Sequence, residues 1–104
     1  MADLDFDLAM EHDDDGECRV TLRGELDLGS AARLEQALAE AGDDVLLDLR
    51  GLTFMDSTGV RVLLEAAERY GAGLRIVAPA SGEVRVTIEE TGIAPLLPLV
   101  EEGR

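Results

Sequence analysis

The stretch that decides the fold is DLRGLTFMDSTGVRVLL, residues 48–64. It continues an apolar run, and residues 45–49 together are too densely apolar for a strand with one solvent-facing side. They predict a central strand covered on both faces, followed by a tight crossing and a helix. Asp56, Ser57 and Thr58 crowd the point where that helix begins. Polar residues there are ordinary caps, and a phosphate also binds well at a helix start.

Length and composition restrict the classes of function. The chain has 104 residues, which predicts one domain over 1–104, and a net charge of −14. Every basic residue is arginine. This acidity argues against binding to nucleic acid or to an anionic membrane, because both need cationic contacts. It favours a partner with a basic face, although solubility or a salty cytoplasm would explain the charge equally well.

Cysteine and histidine content bear on metals, redox state and location. Cys18 and His12 are single residues of their types, so the sequence predicts no intrachain disulfide, no metal site and no cofactor. Cys18 is interpreted as a small core residue. No apolar run approaches the length of a membrane span, and the acidic N-terminus is unlike a signal peptide. We therefore expect a cytoplasmic protein with no membrane insertion.

The N-terminal half predicts two strands and a helix. Alternating apolar residues indicate a half-buried strand at Leu4, Phe6, Leu8 and Met10, and a second, antiparallel strand at Cys18, Val20 and Leu22. Residues 12–16 form the turn between them, and residues 24–30 are predicted to be a loop. Ser30 is predicted to cap a helix that ends at Gly42. Its buried face is expected to carry Ala31, Leu34, Leu38 and Ala41.

The C-terminal half alternates helices and strands. The helix after the central strand is expected to bury Val60, Leu63, Leu64 and Ala67 and to end at 71–73. A buried strand follows at 74–78, and Ser81 is predicted to cap a third helix. That helix is expected to bury Val84, Ile88 and Thr91, with Val86 partly exposed. The last apolar segment contains Leu96, Leu97, Leu99 and Val100.

This order predicts an α/β fold. Strands alternating with helices imply crossovers, a mixed and mostly parallel central sheet, and an antiparallel N-terminal edge. The crossovers are expected to be right-handed.

Catalysis by the chain itself has little support. Without a usable histidine or a lysine, nucleophile activation would fall to carboxylates. The segment 56–59 slightly resembles the Asp-Ser/Thr-Gly loop of aspartic proteases, and a dimer could pair two such aspartates. However, an extra residue separates Asp56 from Gly59, and the predicted α/β order does not suit that all-β fold. Residues 24–29 lack the glycine spacing of a dinucleotide site. The remaining chemical role is that of a phosphoryl acceptor, with Ser57 as the residue that would be modified. Free N–H groups and the helix dipole would favour a phosphoryl group there, and the charge of Asp56 would oppose it. From the residues alone, Ser57 as a plain cap is favoured.

Two motifs, in order, resemble those of STAS domains, and especially bacterial anti-sigma-factor antagonists. The core motif corresponds to LDL at 47–49 and FMDSTGV at 54–60, and a second signature to GELD at 24–27. ETGI at 90–93 matches after the third helix. The resemblance extends over roughly residues 4–102. It departs from the family at the C-terminus, where 101–104 would leave no room for the final helix of many members. A dimer or a partner would then cover the exposed surface.

The resemblance implies a binding module with a switch. Such an antagonist binds an anti-sigma factor that is also a serine kinase, and so frees the sigma factor for transcription. The kinase, which supplies ATP and magnesium, would phosphorylate Ser57 and block tight binding, and a phosphatase would reverse this. The alternative is a STAS subunit of another assembly, such as a lipid-transport ABC complex or a stressosome-like particle. The oligomeric state stays open.

The resemblance also implies a set of partner-binding residues. They are Glu25, Asp27, Asp56, Thr58, Gly59 and Val60. Thr58 would be a second hydroxyl with a cap role, and Gly59 a position where a side chain would crowd the partner. Asp27 is equally well explained as a loop or cap carboxylate, and Glu25 as a solvated strand end. The alternative for Gly59 is that glycine only eases the tight turn of the backbone into the helix.

Overall fold

A computed structural model describes residues 5–101, and Leu4 of the predicted first strand lies outside them. The elements are β1 (Phe6–His12), β2 (Cys18–Leu26), α1 (Ala31–Ala41), β3 (Val45–Met55), α2 (Ser57–Tyr70), β4 (Leu74–Val77) and α3 (Glu83–Glu90). Short 3₁₀ turns follow α2 at Gly71–Gly73 and α3 at Ala94–Leu96. The predicted order of strands and helices is confirmed.

The four strands form one sheet in the order β1-β2-β3-β4. β1 is antiparallel to β2, whereas β3 is parallel to both β2 and β4. The mixed, mostly parallel sheet with an antiparallel N-terminal edge is therefore confirmed. β4 pairs only with Val45–Asp48, so the second half of β3 extends beyond it.

The core lies between the sheet and its helices. Alternate residues of β1, β2, β3 and β4 face it, and α1 and α2 cover it with amphipathic faces. The largest fully buried side chains are Leu22, Leu26, Leu34, Leu47, Leu49, Leu63, Leu74, Ile76 and Ile88. Their burial is the main stabilising term for a chain with few aromatic residues.

Two strands are longer than the sequence predicted. β2 continues through Gly24 and Glu25 to Leu26, so the loop contains only residues 27–30. β3 continues to Met55, where the sequence predicted a crossing after residue 49. Parallel pairing of Glu25 with Phe54 and of Leu26 with Met55 outweighs the weak local strand preference. Gly24 adopts a φ of +91° at an irregularity in this pairing, and a Cβ atom there would overlap the carbonyl oxygen of Asp5.

Helix faces and caps also differ in detail. α1 buries the four predicted residues, but α2 rotates so that Val62, Leu63 and Ala66 are buried, while Val60, Leu64 and Ala67 are half-buried. Gly82, not Ser81, occupies the N-cap position of α3, and Thr91 lies exposed at its end. Val86 is exposed as expected, whereas Leu96 of the last apolar segment is 65% exposed. That segment joins the sheet edge through a bridge between Ile76 and Leu99.

Candidate functional site

The start of α2 is capped by Asp56. Its Oδ1 accepts the N–H groups of Thr58 at 2.9 Å and Gly59 at 3.2 Å, and its carbonyl oxygen accepts the N–H of Val60 at 3.1 Å. The carboxylate thereby satisfies two of the four amides that a helix start leaves without partners, and the bond from Val60 is the first bond of the helix itself. The interpretation of Ser57 as the cap is wrong, because a carboxylate one residue earlier fills that role. The predicted cap role of Thr58 is also wrong: Thr58 donates its amide to the cap.

Ser57 is the first residue of α2 and lies exposed. Among residues 5–101, no hydrogen bond occupies its hydroxyl group. The hydroxyl is therefore accessible to another protein at the end of a rigid strand. Its exposure agrees with the expectation that residue 57 lies at one end of the sheet.

The joint between β3 and α2 is fixed by contacts with the end of β2. The N–H of Asp56 donates to the carbonyl oxygen of Leu26 at 3.2 Å, directly after the pairing of Leu26 with Met55. The backbone is therefore hydrogen-bonded to β2 as far as Asp56, the residue directly before Ser57. Such anchoring fixes the direction in which the hydroxyl is presented.

Gly59 is buried against this joint. A Cβ atom on Gly59 would lie 2.5 Å from Cγ of Met55, 3.0 Å from the carbonyl oxygen of Leu26 and 3.1 Å from Cδ2 of Leu26. The prediction was that a side chain at residue 59 would clash with a docking partner; in the structure it would clash with the protein's own core. Glycine is present here because α2 approaches β2 and β3 too closely for a side chain.

The loop after β2 is organised by Asp27 and Ser30. Oδ1 of Asp27 accepts the N–H groups of Gly29 at 3.0 Å and Ser30 at 3.2 Å. The hydroxyl of Ser30 is fully buried, donates to the carbonyl oxygen of Glu25 at 2.8 Å, and accepts the N–H of Asp27 at 3.0 Å. Ser30 occupies the predicted N-cap position of α1, but its side chain makes no cap hydrogen bond to the helix. Asp27 has the loop-carboxylate role that the sequence offered as one of two readings.

Three carboxylate residues lie on segments that meet at this end of the molecule. Glu25 is the penultimate residue of β2 and pairs with Phe54, Asp27 begins the loop, and Asp56 caps α2. The side chain of Glu25 is half-buried and has no ion-pair partner within residues 5–101. We call Glu25, Asp27 and Asp56, together with Ser57, the acidic end. The structure thus brings together the predicted residues, although Gly59 is buried and Val60 packs partly on the core.

Two exposed apolar residues at the acidic end were not predicted as site residues. Leu28 is 78% exposed on the loop, and Phe54 is 36% exposed at the end of β3. In the sequence, Leu28 is an apolar residue between Asp27 and Gly29, and nothing marks it as exposed. Its exposure depends on the hydrogen bonds between Asp27 and Ser30, which a local sequence pattern does not predict.

A buried carboxylate with a shifted pKa lies elsewhere on the sheet. Asp48 is 6% exposed and meets Arg50 at 2.9 Å and Arg19 at 3.1 Å. Burial alone would raise the pKa of Asp48, but the hydrogen bonds and charge of Arg50, with the charge of Arg19, lower it below its ordinary value. Asp48 precedes Ser57 by nine residues, mostly of extended strand, so this network stabilises the sheet and is not part of the acidic end.

The other buried titratable group is structural as well. Cys18 is buried in β2, and desolvation raises the pKa of its thiol. A thiol that resists ionisation is a poor nucleophile, in agreement with its interpretation as a core residue. In the part of the chain from 5 to 101, no group of three or more His, Cys, Asp or Glu side chains could hold a metal ion, and no helix is long and apolar enough to cross a membrane.

Comparison with known proteins identifies the family. A family model described as "Mlab, STAS domain" matches residues 9–100, so the chain belongs to the STAS-domain family. The chain is 32% identical over 76 residues to the anti-sigma-F factor antagonist RsfB of Mycobacterium tuberculosis, a match over 69% of this chain and 62% of RsfB.

Solved structures share the fold. A crystal structure of an anti-sigma factor antagonist from Mycobacterium paratuberculosis superposes with a TM-score of 0.79 at 30% identity, over 97% of this chain and 90% of that one. The unphosphorylated form of the anti-sigma factor antagonist SpoIIAA, a Bacillus protein, gives a TM-score of 0.70 at 24% identity, over 94% and 90% of the two chains. The family and fold expected from the two motifs are thus confirmed.

Proposed function

We propose that the protein is an anti-sigma-factor antagonist that acts as one STAS domain over residues 1–104. It binds an anti-sigma factor with serine-kinase activity, and phosphorylation of Ser57 switches it off. The observation that carries the proposal is the exposed Ser57 hydroxyl at the start of a helix that Asp56 already caps. The names of the two mycobacterial relatives support the class of partner. The domain is a substrate and a binding partner, not an enzyme, and regulates transcription from the cytoplasm.

The cap determines how phosphorylation would act. A phosphoryl group adds about −1.5 to −2 charge. The amides of Thr58 and Gly59 are occupied by Asp56, so the new phosphate cannot be drawn into the helix start without displacing that carboxylate. It stays on the solvent side, where it adds charge and bulk to the acidic end. The switch therefore changes partner docking and leaves the domain folded.

The partner supplies all the chemistry of the switch. The kinase brings ATP, magnesium and the catalytic base, and a serine phosphatase returns the phospho-form to the active state. The chain's own residues present the hydroxyl: Asp56 holds the helix start, and Leu26 holds Asp56. Glu25 and Asp27 contribute to the contact with the kinase. The net charge of −14 argues against nucleic acid as the direct partner.

The test is phosphorylation by the serine-kinase anti-sigma factors of the source organism. Purified protein, ATP and magnesium are incubated with each kinase, and intact-mass and peptide mass spectrometry locate the phosphate. We expect one phosphate on Ser57, none on Ser57→Ala, and unchanged phosphorylation of Ser81→Ala, since Ser81 is an exposed serine before α3. Ser57→Asp should bind the kinase at least tenfold more weakly, while its unfolding transition stays close to wild type. The proposal fails if no kinase modifies or binds the protein.

A second candidate is a STAS subunit of a lipid-transport ABC complex or a stressosome-like particle. The observation in its favour is the family model, which carries the name of another STAS protein, Mlab. Affinity purification from the native host distinguishes the two. Stoichiometric recovery of transporter subunits without a serine kinase would favour the second candidate.

A further inference from the structure

The loop between β2 and α1 exposes an apolar side chain on a rigid backbone. Leu28 is 78% exposed and is the most exposed large apolar residue in the described chain. An exposed leucine on a mobile loop would carry little meaning, because single apolar residues are common on surfaces. What distinguishes Leu28 is the set of contacts that hold its neighbours.

Those contacts fix the backbone on both sides of Leu28. Asp27 accepts the N–H groups of Gly29 and Ser30 through Oδ1, and its carbonyl oxygen accepts the N–H groups of Ser30 at 3.1 Å and Ala31 at 2.9 Å. The buried Ser30 hydroxyl bridges the N–H of Asp27 to the carbonyl of Glu25. Leu28 is therefore the outward tip of a short loop whose base is hydrogen-bonded and buried. Binding through such a tip loses little backbone entropy, which favours affinity.

The loop that carries Leu28 starts at the joint that precedes Ser57. Leu26 pairs with Met55, accepts the N–H of Asp56, and lies within 3.1 Å of the position that a Cβ on Gly59 would occupy. Leu28 follows two residues later. Asp27 directly precedes this apolar tip, Glu25 lies three residues before it, and the half-exposed Phe54 pairs with Glu25. An apolar centre with a charged rim is the usual composition of a protein interface.

We propose that Leu28 is the apolar anchor with which this protein selects its anti-sigma factor. This inference rests on the function proposed above. The partner surface that fits is an apolar pocket bordered by arginine or lysine side chains. Glu25 and Asp56 steer the encounter through charge, and Leu28 determines how long the complex lasts.

The experiment compares Leu28 variants with a matched leucine elsewhere. The probes are the serine-kinase anti-sigma factors of the source organism and the anti-sigma-F factor of M. tuberculosis, and binding is measured by surface plasmon resonance. Leu28→Ala should weaken binding about tenfold, mainly through a faster off-rate, and Leu28→Asp about a hundredfold. Leu96→Ala is the control: Leu96 is 65% exposed beside Leu64, seven residues along α2 from Ser57. It should bind within about twofold of wild type, as expected for a residue outside the interface.

A second readout separates docking from folding. Thermal unfolding of Leu28→Ala should match that of wild type, because the side chain has little buried surface to lose. Glu25→Gln should slow association and reduce its salt dependence while leaving the off-rate nearly unchanged. If wild type binds a probe and both Leu28 variants bind it equally well, the anchor is refuted and the proposed function stands. If wild type binds none of the probes, the proposed function itself fails and the anchor fails with it.

Discussion

Replacing Gly59 by alanine tests the close approach of α2 to the ends of β2 and β3. The added methyl group would lie 2.5 Å from Cγ of Met55 and 3.0 Å from the backbone oxygen of Leu26. Both neighbours are buried, so neither can move without disturbing the core. Overpacking of this kind costs about 1–3 kcal/mol, whereas alanine in place of glycine gains at most about 1 kcal/mol in a helix. We expect a net loss of about 1–2 kcal/mol.

The assay is urea unfolding followed by circular dichroism, with the free energy taken from a linear extrapolation. The matched background is Met55→Ala, which removes the atom nearest to the new methyl group. In that background Gly59→Ala should cost at least about 0.5 kcal/mol less, the smallest coupling that residues in contact show. The reasoning is refuted if Gly59→Ala is as stable as wild type, or if its cost is the same in both backgrounds. Loss of partner binding without loss of stability would restore the alternative, in which residue 59 faces the partner.

Substitutions at three further positions test the hydrogen-bond networks by the same unfolding assay. Asp56→Ala removes the cap of α2 and should lower the free energy of unfolding by about 1 kcal/mol. Asp56→Asn can still accept both amides and should lower it by only a few tenths of a kcal/mol. Equal losses for the two variants would show that the cap is unimportant. Ser30→Ala removes the side-chain partner of two partly buried backbone groups, the N–H of Asp27 and the carbonyl of Glu25, and should cost about 1–3 kcal/mol. An unchanged midpoint would contradict the role of this bridge. Asp48→Asn should cost about 1–2 kcal/mol at pH 7, a value reduced because Arg19 and Arg50 can each hydrate when the carboxylate is lost. Because the pKa of Asp48 is lowered in the folded state, its contribution is complete above the unfolded value of about 3.9 and disappears as the pH falls through the folded value. The difference between wild type and Asp48→Asn should therefore shrink as the pH falls below about 4, and a difference that grows toward acid would reverse the assigned sign.

The sequence was most informative where one periodic pattern extended over several residues. The dense apolar run at 45–49 and the helical spacing of Ala31, Leu34, Leu38 and Ala41 predicted elements that the structure contains. These patterns report burial, which is the largest energy in the fold. The element order and the parallel sheet followed from them.

Local polar choices were less predictable because their energies are small and similar. Asp56, Ser57 and Thr58 all suit a helix start, and caps of these types differ by little more than a few tenths of a kcal/mol. Asp56 fills the role because the chain leaves β3 with that residue bound to Leu26. The extension of β2 to Leu26 likewise depends on pairing with residues that lie nearly thirty positions later.

The parts of the site that involve long-range contacts could not be read from the chain. The two motifs indicated Glu25, Asp27 and Ser57, and the structure brings their backbones to one end of the sheet. The position of Ser30 before α1 was predictable, but the use of its hydroxyl to join Asp27 to Glu25 was not, because a serine before a helix usually caps it. The reason for Gly59 required the positions of Met55 and Leu26 around it.

The unequal lengths of β3 and β4 have a consequence for how this protein can change over evolutionary time. β4 pairs only with Val45–Asp48, and the seven residues of β3 beyond that point extend about 23 Å past the last paired position. Substitutions of exposed side chains at this end, such as Leu28 and Ser57, leave the β3–β4 half of the sheet untouched. A duplicated copy can therefore acquire a new recognition surface through such exposed residues with little change in the stability of the domain.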